Sequence, residues 1–185
     1  MNIMTPSFLR TYAPNLAGSF YTIGNLVLLI AGGSVGNPWL MSAALFWLVD
    51  GIILGFYGRI AQGINFHAAF NIVGNLCLLV AAIGLVSPWG QIGLAWFLIL
   101  ASVLKIIAPP ADQLIPYPTR RLALPWYWAR RYPLRVVGIL GGLSRVSGFM
   151  GAVANHDWWL FAAVCLWLLG DICQFMAKKG GYTKP

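Results

Sequence analysis

Apolar residues in this chain neither alternate with polar ones nor keep to a single helical stripe. They run through six stretches, at about 18–36, 38–57, 68–86, 88–108, 136–154 and 158–177. A helix crosses the hydrocarbon core of a bilayer with roughly 20 apolar residues, so each stretch is predicted to be a transmembrane helix. Strands of a membrane barrel would alternate apolar and polar residues over about ten positions, and these runs stay apolar through both periods. The predicted fold class is all-α: a polytopic membrane protein with six transmembrane helices.

The runs resemble one another. At an offset of fifty, residues 23–39 match residues 73–89 at Gly24/Gly74, Asn25/Asn75, Leu26/Leu76, Leu28/Leu78, Leu29/Leu79, Ala31/Ala81, Pro38/Pro88 and Trp39/Trp89. At an offset of 120, residues 39–52 match residues 159–172 at Trp39/Trp159, Leu40/Leu160, Ala43/Ala163, Trp47/Trp167, Leu48/Leu168 and Ile52/Ile172. Three repeated helical hairpins are expected, turning near Asn37, Ser87 and Asn155, with an insertion before the third. Trp39, Trp89, Trp158 and Trp159 fall at those turns, where an indole keeps its ring apolar and its N–H wet.

Composition agrees with a membrane chain. Of 185 residues, 59% are hydrophobic and only 9% charged, with a mean hydropathy of +0.76, whereas a soluble domain carries about 25% charge. The net charge of +8 comes from 12 Lys and Arg against 4 Asp and no Glu. Eleven of those twelve basic residues fall on one side of a six-span arrangement and none on the other; the twelfth, Arg145, lies within the fifth run. Basic flanks stay cytoplasmic, which places both termini on the cytoplasmic side of a bacterial-type inner membrane, and a five- or seven-span arrangement would lose this asymmetry. The expected segments are an N-terminal cytoplasmic or interfacial piece (1–17), two hairpins (18–108), a cytoplasmic loop (109–135), a third hairpin (136–177) and a basic tail (178–185). The outline of a secretory signal, Arg10 followed by an apolar run ending in small residues, is set against a run longer than the usual signal core of about 7–15 residues.

In span count, length and Gly-rich hairpins such as Ala31-Gly32-Gly33 and Ser87-Pro88-Trp89, the chain resembles bacterial three-hairpin six-span membrane proteins of the HdeD type. The resemblance implies architecture alone. The third turn, Asn155-His156-Asp157-Trp158-Trp159, departs from Pro-Trp, and no functional residue is carried over.

Ionisable groups in hydrocarbon cost roughly 2.5–3.5 kcal/mol on insertion scales and call for a partner or a hydrated site. Counting about 1.5 Å per residue from the cytoplasmic helix ends, Asp50 and Asp171 lie ~10 Å inside and Arg145 ~14 Å. Asn25 and Asn75 fall at similar depth, and Asn71 shares a helix face with Asn75. A polar layer of Asn25, Asp50, Asn71, Asn75, Arg145 and Asp171 is expected in the cytoplasmic half. It is either structural, with Arg145 paired to Asp171 and the amides bridging helices, or a path for an ion, a proton or a polar head group. Glycines at Gly138, Gly142 and Gly148 predict close helix packing by the fifth run, within the bundle, with a second copy or with another subunit.

Six prolines interrupt the insertion, which interleaves Arg120, Arg121, Arg130 and Arg131 with Trp126 and Trp128. Such a loop can lie among anionic lipid head groups, with about 1 kcal/mol per Arg, or dock on a partner; a bilayer tether argues against nucleic acid. Catalytic chemistry is thin. His67 and His156 fall on opposite sides of the membrane, Cys77, Cys165 and Cys173 lie within spans without a CxxC, and neither a nucleotide nor a metal motif occurs. No cofactor, metal or catalytic residue is expected. The expected function is a non-enzymatic accessory or structural subunit of a larger membrane assembly, touching lipids and other membrane subunits or copies of itself. The alternative is a small transporter or channel using the polar layer.

Overall fold

The computed structural model describes residues 6–57, 66–107 and 133–179. Among them are six helices and no strand: α1 (Pro6–Ser34), α2 (Pro38–Tyr57), α3 (Phe66–Ala81), α4 (Trp89–Ile107), α5 (Pro133–Ala154) and α6 (Trp158–Lys179). Three stretches, Tyr12–Ser34, Val136–Ala154 and Trp158–Ala177, are long and apolar enough to cross a membrane; Pro38–Ile52, Ala69–Ala81 and Trp89–Leu104 are shorter apolar helical stretches. Large side chains such as Ile23, Ile52, Leu76, Ile139 and Ile172 project outward. That much exposed apolar surface calls for an apolar solvent, and the chain is a membrane protein.

Helix ends follow local chemistry. α1 starts at Pro6, where a missing N–H costs nothing, and runs through Pro14; the helix therefore takes in most of the segment expected to be interfacial. It stops at Gly36, whose φ of 65° is open to glycine without a Cβ penalty. The Asn37 N–H then reaches back to the Gly32 carbonyl at 2.9 Å, and Asn37 Oδ1 accepts from the N–H groups of Trp39 and Leu40, capping α2. The turn between α5 and α6 repeats this design 120 residues on. His156 takes the left-handed place with φ 53°, Asp157 N–H reaches Ala152 O at 2.8 Å, and Asp157 Oδ1 caps α6 through Leu160 N–H. The middle turn differs, because α3 stops at Ala81 and the chain bends through Gly84 (φ 95°), so the third run ends sooner than its hydropathy implies. α5 likewise begins at Pro133, inside the expected loop.

Each helix packs on the next in the chain, and α6 closes back on α1. Leu28, Leu78, Leu94, Ala43, Ala163 and Val164 fill the interior without solvent exposure. The closest backbone approach lies between α4 and α5, where a Cβ on Gly90 would come within 2.3 Å of Gly151 Cα. Only glycine at both positions lets the two backbones touch.

Two further seams are built alike. A Cβ on Gly24 of α1 would meet Trp167 Nε1 of α6 at 2.7 Å and Ala163 O at 3.3 Å; a Cβ on Gly74 of α3 would meet Trp47 Nε1 of α2 at 2.6 Å and Ala43 O at 3.3 Å. In both, the Nε1–Cδ1 edge of an indole lies against a glycine one residue before an asparagine. The two indoles then meet each other edge-to-face in the interior, with centroids 5.4 Å apart and planes at 85°.

Candidate functional site

The buried Asn25, Asp50 and Asn75 all lie on these two seams. On the α1/α6 seam, Asp171 is the hub. Tyr21 Oη donates to its Oδ1, and Arg145 Nε of α5 donates to Oδ2 at 3.1 Å. The Arg145 guanidinium also stands 5.1 Å from the centroid of the Trp167 ring, and Trp167 Nε1 donates to Asn25 Oδ1 at 3.0 Å. Five residues thus tie α1, α5 and α6 into one network with a single cation and a single anion. The pairing is lopsided: the Arg145 side chain is 13% exposed and that of Asp171 43%. The carboxylate is the more exposed partner, and α5 and α6, which the pair joins, touch less extensively than the other neighbouring helices among the described residues.

On the α2/α3 seam, Asn71 Nδ2 donates to Oδ2 of the buried Asp50 at 2.9 Å. Asn71 is to Asn75 as Tyr21 is to Asn25, so each seam sets a donor on the odd-numbered helix against a carboxylate on the even-numbered one. The next turn outward breaks the likeness. Asn75 has no exposure at all, and both its Oδ1 and Nδ2, together with the buried Trp47 Nε1, have no hydrogen-bond partner.

The expected layer is therefore two clusters joined through an indole pair. Arg145 and Asp171 come together, as do Asn71 and Asp50; Asn25 bonds to a tryptophan, and Asn75 to nothing. The sequence repeat matched Trp47 with Trp167 but gave neither an interior polar role, and Tyr21, which an offset of fifty aligns with Asn71, escaped the sequence reading. Gln91, buried in α4 with its Nε2 on Leu78 O at 3.2 Å, was also missed. It pins α4 to α3 at a buried polar point. Asn155 clamps the α5/α6 turn to the α3/α4 turn, taking the Ser87 N–H at 3.0 Å and donating to Ser87 O at 2.7 Å.

The glycines of α5 part company. Gly148 packs against Leu94 and Val164, with a Cβ there meeting both at 3.1 Å, while Gly138 and Gly142 are exposed with nothing within 4 Å. Helical spacing puts those two on the side of Arg145, the partner of the half-exposed Asp171. Arg120, Arg121, Trp126, Trp128, Arg130 and Arg131 lie outside the described residues. Among the described residues no group of His, Cys, Asp or Glu is placed to hold a metal ion, and Cys77, Cys165 and Cys173 are free thiols. In comparisons of sequence and of fold, no family model, no curated protein and no solved structure matches this chain.

Proposed function

We propose that the chain is a six-span inner-membrane protein of three related hairpins, with both termini cytoplasmic, that serves as a non-enzymatic accessory subunit of a larger membrane assembly. The observation that carries this reading is the α5/α6 flank. There a carboxylate at bilayer depth is nearly half exposed beside a glycine face, Gly138 and Gly142, that nothing in the described chain covers. Tyr21 and Arg145 each bond one oxygen of Asp171; lipid tails offer its exposed side no further hydrogen bond, whereas a helix of another subunit can pack on the glycines and present an additional donor.

The repeat reading draws support from the matched Gly–Trp seams and from the matched first and third turns. The six-span reading rests on the one-sided placement of Lys and Arg. The non-enzymatic reading draws on the occupation of both described intramembrane carboxylates, Asp50 and Asp171, by side chains of neighbouring helices. A transporter would need a passage along the bundle interior, and there the touching indoles of Trp47 and Trp167 and the fully buried Leu28 and Leu78 occupy that space.

The test is native mass measurement of the protein extracted from its own membrane in mild detergent, for wild type and Gly142→Leu. Open space at Gly142 lets the variant fold, so a defined heteromeric complex in wild type that is lost in the variant is the expected outcome. A lone monomer in both would overturn the subunit reading and turn attention to solute flux.

A further inference from the structure

Three polar atoms of the α2/α3 seam, Trp47 Nε1, which lies against Gly74, and Nδ2 and Oδ1 of the next residue, Asn75, are buried and unpartnered. Buried polar groups in proteins are almost always hydrogen-bonded, and an orphaned group points to something polar beside it. On the sister seam the corresponding atoms satisfy each other, since Trp167 Nε1 lies on Asn25 Oδ1 at 3.0 Å. The backbones do not account for the difference, because each indole rests over its glycine at nearly the same distance, 2.6 Å from the ideal Cβ on one seam and 2.7 Å on the other. The Asn75 carboxamide therefore shares a seam with the Trp47 N–H without closing on it.

We infer that the Trp47–Asn75 position is a binding site for a buried water molecule, entered from the cytoplasmic end of the seam. The chemistry of the three atoms selects this guest. Two are donor groups and one is an acceptor, which suits a molecule that both accepts and donates, and a buried water typically makes two to four such bonds. A cation would face the indole and amide donors. An anion would face Asn75 Oδ1, with the Asp50 carboxyl one helical turn away along α2. The route follows from the lining. Toward the lipid, α2 and α3 form a mainly apolar groove bounded by Ser42, Leu45, Phe46, Val49 and Phe70, whereas on the cytoplasmic side of the proposed topology stand Asn71 and Asp50. Outward, the fully buried Leu28 and Leu78 close the interior. The site is a hydrated cul-de-sac ending at an indole.

Tryptophan-selective 15N labelling of the full chain in lipid nanodiscs tests this, because each indole N–H gives its own signal. The Trp47 and Trp167 signals are identified by their loss in Trp47→Phe and Trp167→Phe, or by through-bond correlation where a variant does not accumulate. The Trp47 indole proton should show a cross-peak to water and exchange in D2O at least tenfold faster than that of Trp167, which its direct bond to Asn25 protects. Equal protection of the two indoles, with no water cross-peak at Trp47, would mean that Trp47 closes on Asn75 directly and would overturn the proposal. An unchanged Trp47 water cross-peak in folded Asn75→Leu would overturn it as well, since Asn75 supplies two of the three bonds.

Discussion

The α1/α6 and α2/α3 seams use one backbone solution and dress it differently. In each, a glycine lets an indole from the facing helix lie against the backbone, and a small alanine on that helix brings its carbonyl close. The polar outfit then diverges. α1/α6 carries a direct Asn–Trp bond and a Tyr–Asp–Arg cluster whose cation comes from α5, while α2/α3 carries an Asn–Asp bond and a buried amide and indole left unpaired. The contrast separates packing from chemistry. The scaffold that brings the helices together needs only the glycine, the indole and the alanine, so the residues one turn away are free to become a tie on one seam and a hydrated pocket on the other.

If the shared scaffold is what holds both seams, its removal should hurt both equally, and this is the largest effect expected. Gly24→Val and Gly74→Val each drive a branched side chain into the indole and toward a backbone carbonyl. Each should lower stability by about 3 kcal/mol, at the upper end of overpacking penalties, and by amounts within ~1 kcal/mol of each other. Thermal unfolding of the purified variants in detergent measures both. A large loss at one glycine and none at the other would mean that the seams only look alike.

The charged tie belongs to one seam, so breaking it should be asymmetric and reversible by a second substitution. Asp171→Asn leaves the Arg145 cation in the membrane without its carboxylate. Stranding one member of a buried pair costs about 3–5 kcal/mol, and the partial exposure of Asp171 reduces this to an expected ~2 kcal/mol. Arg145→Gln in the same background should recover at least half of that loss, since neighbouring residues of one network couple in double-mutant cycles. Additive losses from the two substitutions would show that Arg145 gains more from the Trp167 ring or the lipid interface than from Asp171.

Much of this frame was legible in the sequence, for reasons tied to particular residues. Gly24-Asn25 and Gly74-Asn75 stood out because glycine and asparagine are poor choices for an ordinary apolar run, and their repetition at a fixed offset marked equivalent places. The first turn was readable because Gly36, Asn37 and Pro38 are each specific to one place in a helix stop and start. The interior role of Trp47 and Trp167 was hidden, because the same indole that anchors a helix at the interface can also fill a bundle core, and hydropathy does not separate the two. Tyr21 vanished for a related reason: one hydroxyl barely changes the hydropathy of the run around it. The directions of the α5 glycines were also invisible. A helix that is apolar all round gives no sign of which face meets protein, and Gly148 and Gly151 turned out to face inward while Gly138 and Gly142 face out.

The finest distinction between the seams is a single hydrogen bond, and it predicts the smallest difference. Asn25→Leu keeps the branched heavy-atom outline but removes the acceptor of the Trp167 N–H, leaving a buried donor unpaired, which costs about 1–3 kcal/mol. Asn75→Leu removes no direct protein–protein bond. It displaces the guest, and release of an ordered water returns up to about 2 kcal/mol of immobilisation entropy, offsetting part of what the lost polar contacts contributed. Asn25→Leu should therefore be the less stable variant by roughly 1 kcal/mol, a gap of a few degrees in unfolding temperature for a chain of this size. Equal losses would mean that the Asn75 amide is as fully bonded as that of Asn25. A larger loss at Asn75 would make the α2/α3 seam the tied one and reverse the contrast between the two.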